Sequence, residues 1–165
     1  MITRALNWAI LALVALYCLL TLWAPEAKAQ TAVGVHLWSE HSKNEYEITH
    51  EGGVSEYRKF NEKNYGLYVV HNGWTAGTFE NSYYRRTVYG GYSWVWPVYG
   101  PLDACLTVAL ATGYRRVPGV GTLRPMAMPG VRMALPEGIF LRYSVAPAKG
   151  GAFQHLSIER TFHVP

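Results

Sequence analysis

The sequence predicts an all-β fold: a single eight-stranded antiparallel up-and-down barrel of the outer-membrane type, preceded by a signal peptide. Three observations carry that expectation. A nearly continuous apolar segment, Leu6 to Trp23, follows the basic Arg4 and leads to Ala27-Lys28-Ala29, the small-x-small form of an export cleavage site. Beyond it, about eight short segments alternate large apolar with small or polar residues, the period of strands whose two faces meet different surroundings. No later run approaches the roughly 20 apolar residues that a membrane-spanning helix needs.

Residues 1–29 are therefore read as a signal peptide and 30–165 as one barrel domain. An uncleaved signal anchor is the alternative, because Leu6 to Trp23 is long for a cleaved signal. Beyond Ala29 the chain has 136 residues, with 13 Lys or Arg against 10 Asp or Glu. That mild positive charge suits an anionic lipid surface and is too weak to argue for nucleic acid. Cys18 falls in the signal, which leaves Cys105 alone, so neither an internal disulfide nor a cysteine-based metal cluster is expected.

The first strand spans Thr31 to Ser39, with Val33, Val35 and Leu37 on one face and Gly34, His36 and Trp38 on the other. The polar stretch Glu40 to Lys63 reads as one long loop. Tyr65 to His71 forms the second strand, closed by Asn72-Gly73, the strongest short hairpin signal. Trp74 to Ser82 and Arg86 to Trp96 are the third and fourth, with a turn at Pro97 to Pro101. In the fifth, Ala104, Leu106, Val108 and Leu110 face lipid while Cys105, Thr107, Ala109 and Ala111 face inward, ending at Gly113. The sixth, Leu123 to Leu135, is interrupted by Pro125 and Pro129, and the seventh is Ile139 to Ala146. The eighth, Phe153 to Phe162, sets Leu156 and Ile158 outward against His155, Ser157 and Glu159.

Link lengths give the barrel a polarity. The odd links are 40–63, 83–85, 115–122 and 147–152; the even ones, Asn72-Gly73, Pro97 to Leu102 and Pro136 to Gly138, are tighter. Outer-membrane barrels keep long loops outside, so odd strands run outward, and His36 and Ser82 should share the depth of the external rim. Eight strands enclose only side chains or one slim ligand. A soluble lipocalin-like barrel, with its apolar faces turned inward, is the structural rival.

A set of short motifs then resembles one family. Phe79-Glu80-Asn81-Ser82 followed by Tyr89-Gly90-Gly91-Tyr92-Ser93-Trp94 is similar to a region of the lipid A palmitoyltransferases of the outer membrane (the PagP family). Asn61-Glu62-Lys63-Asn64-Tyr65-Gly66, Ala111-Thr112-Gly113-Tyr114, and Pro118, Pro125, Pro129 and Pro147 resemble further family features in the same order. The resemblance implies that His36 is a general base and Ser82 a second catalytic residue. It implies lateral lipid access at Pro125, Pro129 and Pro147, with a phospholipid acyl donor and a lipid A-type acceptor; no cofactor is expected, and the barrel is read as a monomer. Three departures stand against a plain transfer. Asn81 replaces the family's acidic residue and supplies no charge to a histidine; only Gln30 and Thr31 stand where the family has a helix; and Ser93 replaces the glycine at the floor of the acyl pocket.

Other candidates have plainer readings. His41, His50 and His71 show no spacing for a metal site, so none is expected. Gly119-Val120-Gly121 lacks the strand-loop-helix context of a phosphate loop. His155 and Glu159, near the face carrying Arg142, suggest an internal salt-bridged plug. Arg115, Arg116 and Arg124 flank an outer link and either clamp lipid phosphates or solvate the loop. Two functions follow: an outer-membrane acyltransferase, or a non-catalytic barrel that alters the cell surface or binds a partner through 40–63.

Overall fold

A computed structural model describes residues 30–43, 45–49, 55–114, 122–148 and 151–163. Residues 1–29, read above as a signal peptide, and Arg115, Arg116 and Pro118 lie outside them. The strands are β1 (Gln30–His41), β2 (Glu45–Thr49), β3 (Ser55–Lys59), β4 (Gly66–His71), β5 (Trp74–Glu80), β6 (Arg86–Tyr99), β7 (Leu102–Ala111), β8 (Arg124–Ala134), β9 (Ile139–Ala148) and β10 (Gly151–His163). Eight of them close a barrel in the order β1-β10-β9-β8-β7-β6-β5-β4, with β4 hydrogen-bonded back to β1. Every pairing is antiparallel, as the eight-strand reading requires.

Alternation sorts the side chains as expected for most of the wall. Val33, Val35, Leu67, Val69, Val88, Leu110 and Val131 are exposed on the outside, while Gly34, His36, Tyr68, Tyr89, Cys105, Thr107 and Ala109 are buried inside. The inner row must fit a narrow bore, and glycine makes that possible at one tight point. A Cβ on Gly34 would lie 2.1 Å from Cζ of Tyr68, so the Tyr68 ring occupies the space that any side chain at 34 needs. The Asn72-Gly73 hairpin forms as the sequence indicates, both residues taking positive φ (49° and 83°).

Four local expectations are corrected. Residues 40–63 are more than one long loop: β2 and β3 pair within them as a separate two-stranded sheet. Their charged, short segments lack an apolar row, but cross-strand partners such as Glu45 with Lys59 hold them together. Trp38 does not share the inner face with His36. A β-bulge between His36 and Trp38 inserts one residue, so Ser39 takes the buried inward position instead. The turn predicted at Pro97 to Pro101 shrinks to Gly100-Pro101, because a bulge between Pro97 and Tyr99 lets β6 continue past a residue that cannot donate to the ladder. Finally, β9 and β10 extend into the last outer link, Pro147 lying in β9 opposite Ala152.

Candidate functional site

His36 stands on the inner row of β1 among residues supplied by four other strands. Its Nδ1 lies 3.0 Å from Nε2 of His155 and its Nε2 lies 3.1 Å from the Tyr89 hydroxyl. Both ring nitrogens are therefore engaged, whichever tautomer is present. The ring is also packed against Tyr68 and Phe79, with centroids 4.8 and 4.9 Å away, and His36 is only 7% exposed. A base needs an open nitrogen to take a proton from an acceptor hydroxyl. Here that requires breaking one of these bonds.

Ser82 does not join this cluster. His36 lies opposite Gly66, and Gly66 lies opposite Phe79, so Ser82 is three positions farther toward the rim, in the link beyond β5. The shared depth inferred from parity is thus offset by those three residues. Ser82 is 2% exposed, and its backbone carbonyl accepts a bond from Asn61 N at 2.9 Å.

Asn81 has a different task from orienting a histidine. Its Oδ1 accepts from the backbone N–H groups of Tyr83 (2.9 Å) and Arg85 (3.1 Å). Its Nδ2 donates to Thr87 Oγ1 (3.0 Å) and to the Gly113 carbonyl (3.3 Å). Two donors and two accepted bonds exhaust what an amide can make. The residue ties the β5–β6 link to the end of β7 while fully buried. Asn64 does the same job nearby: it accepts a bond from the Ser39 hydroxyl and donates to the Glu80 carbonyl at 2.7 Å. Asn61 donates to the Lys63 carbonyl at 3.1 Å. Several of the residues that carried the resemblance, Asn61, Asn64 and Asn81, therefore form a polar lattice that pins the outer rim.

Deeper in the bore, polar side chains fill the space. Ser93 Oγ lies 2.5 Å from Thr107 Oγ1, which also accepts from Arg142 Nη2 at 2.6 Å. The predicted plug exists, but Glu159 pairs with Arg132 (2.9 Å) rather than Arg142, and Arg132 also bonds Asp103 (2.8 Å). Tyr68 completes it, its hydroxyl donating to Glu159 Oε2 at 2.9 Å. Ser93 thus belongs to a hydrogen-bonded floor beneath the rings around His36.

Pro125 and Pro129 are exposed on β8 and register with Leu110 and Leu106 of β7. On its other side β8 pairs with β9 only from Gly130–Ser144 to Ala134–Phe140. Among the described residues, the stretch from Arg124 to Pro129 has no partner on β9. A crevice of about 420 Å³ opens at the lower end of this seam, lined by Pro129, Gly130, Val131, Tyr143 and Val145. Arg124 turns back on its own loop, its Nε donating to the Tyr114 carbonyl at 2.8 Å.

Rings cluster at the end of the barrel that carries β2 and β3. His41 stacks on Phe60 at 4.1 Å and meets Phe153 at 4.9 Å; Tyr83 contacts Tyr46, Phe60 and Tyr114 at 4.9, 5.5 and 6.2 Å. Burial among them pushes the pKa of the Tyr114 hydroxyl up. Beside the rings is a groove of about 400 Å³ lined by Tyr46, Arg58, Lys59, Tyr83 and Tyr84. The bond from Arg58 to Glu56 raises the Arg58 pKa further, so the guanidinium stays charged. Little in the sequence marks this groove, since its residues come from the stretch read as a loop and from a short link. Among the described residues no three His, Cys, Asp or Glu side chains converge to hold a metal ion. No protein-family model matches the chain, and no curated protein is significantly similar to it.

Proposed function

We propose that this chain is a small outer-membrane barrel that acts by binding through the 40–63 segment at its outer mouth, without covalent chemistry. The observation that carries the reading is the engagement of the groups that the resemblance would make catalytic. Both nitrogens of His36 and every hydrogen-bonding position of Asn81 are committed inside the wall. The membrane setting is supported by the outward apolar band of Val33, Val35, Leu67, Val69, Val88, Leu110 and Val131, far more than a soluble surface tolerates. Exposed Trp74 and Tyr99 near the tight-turn end, and Tyr65 near the other, fit two interfacial belts.

A second reading, acyl transfer between membrane lipids, is favoured by one feature, the half-unpaired seam between β8 and β9 with its apolar crevice. A single assay separates the two. Purified barrel in detergent is supplied with a phospholipid carrying a labelled acyl chain and with lipid A. The binding reading expects no transfer by the wild type, His36→Ala or Ser82→Ala proteins. Transfer by the wild type that is lost in either variant overturns it.

A further inference from the structure

We propose that the groove between the β2–β3 hairpin and the β5–β6 link is a binding site for an anionic oligosaccharide approaching from solution. The inference deepens the binding reading above and rests on it.

Two features of the groove select this class of ligand. Tyr46, Tyr83 and Tyr84 supply flat, rigid surfaces with hydroxyl edges, suited to the apolar faces and polar rims of sugar rings at little conformational cost. Arg58, on the same face of the hairpin as Tyr46, adds a positive charge, while Lys59 stands opposite Glu45 on the other face. The Glu56 carboxylate bonds Nε of Arg58, which leaves the two terminal nitrogens to grip a second oxyanion end-on. The nearby carboxylates Glu45 and Glu47 lie in β2 opposite Lys59 and Tyr57, on the face of the hairpin away from Tyr46 and Arg58.

Position decides between a ligand from solution and a lipid headgroup. The walls of the groove stand beyond the ends of the barrel strands: Tyr46, Arg58 and Lys59 come from the hairpin that follows β1, and Tyr83 and Tyr84 from the β5–β6 link. They lie past the ends of the barrel strands rather than on the flank where lipids pack. A ligand seated there meets the barrel end-on, from the aqueous side.

Isothermal titration of the detergent-solubilised barrel tests this with a heparin-derived hexasaccharide as the anionic probe and maltohexaose as the neutral one. The expected result is binding of the anionic probe, at least tenfold weaker in Arg58→Ala and several-fold weaker in Tyr84→Ser. Maltohexaose should bind at least tenfold more weakly than the anionic probe. Arg160→Ala, which removes an exposed charge at the far end of the barrel, should leave affinity unchanged. Absence of binding, equal loss in Arg160→Ala, equal binding of maltohexaose, or binding confined to lipid A micelles each overturns the proposal. Retention of the heat-modifiable gel shift confirms that the variants are folded. Because the transfer assay is independent of these titrations, a failed groove and a failed binding reading give different results.

Discussion

Replacing Asn81 with Asp should destabilise the barrel by about 3 kcal/mol and create no acyl transfer. The substitution restores the acidic residue of the family that the chain resembles, so the two outcomes are sharply opposed. In the lattice, Nδ2 of Asn81 donates to the Gly113 carbonyl and to Thr87 Oγ1, and the residue is fully buried. A carboxylate puts an acceptor against the Gly113 carbonyl and leaves a charge without a partner. The Thr87 hydroxyl can turn to donate to it, but only by giving up its present bond to the Thr112 carbonyl (3.0 Å). Acidification should recover part of the loss, since a protonated carboxyl regains one O–H donor. Urea unfolding in detergent micelles, followed by the gel shift at several pH values, measures both effects. Unchanged stability together with new transfer activity would show that position 81 serves chemistry rather than the rim.

Arg132→Met should cost more, about 3–5 kcal/mol, because it breaks a buried charge network from one side. Arg132 is the cation for two carboxylates, Glu159 and Asp103, at 2.9 and 2.8 Å, and the Glu159 side chain is only 3% exposed. Without it, Glu159 keeps only the Tyr68 hydroxyl, because Arg142, the other cation in the bore, bonds Thr107 instead. Arg132→Met combined with Glu159→Gln should recover much of the loss by removing the orphaned charge. The urea midpoints of the two single variants and the double variant measure that coupling. A double variant no better than Arg132→Met would mean that the network contributes by packing alone.

The parts of the fold that the sequence made legible are those where one face differs chemically from the other. β7 alternates large apolar with small residues, and β10 alternates Leu156 and Ile158 with His155, Ser157 and Glu159; both orient as their pattern predicts. A bulge leaves no trace in such a pattern, so strict alternation puts Trp38 on the inner face where the structure has Ser39. The β2–β3 hairpin escaped because its pairing rests on charged and aromatic cross-strand partners rather than on an apolar row. The rim lattice was hidden for a related reason. Buried Asn61, Asn64 and Asn81 look like ordinary loop residues until the chain brings backbone carbonyls within reach of their amides. The inward placement of His36 was readable; its partners His155 and Tyr89 were not, since they come from strands 119 and 53 residues away along the chain.

The claim beneath all of this is that the barrel is apolar outside and polar within, and nitroxide accessibility in lipid vesicles tests it most directly. In a Cys105→Ser background, cysteines placed one at a time at Leu67, Val69 and Val70 of β4 are spin-labelled and probed with oxygen, which concentrates in lipid. Positions 67 and 69 should be strongly accessible to oxygen and shielded from a water-soluble nickel reagent, while position 70 should be shielded from oxygen. Strong nickel accessibility at 67 and 69, with no alternation along the strand, would contradict the account.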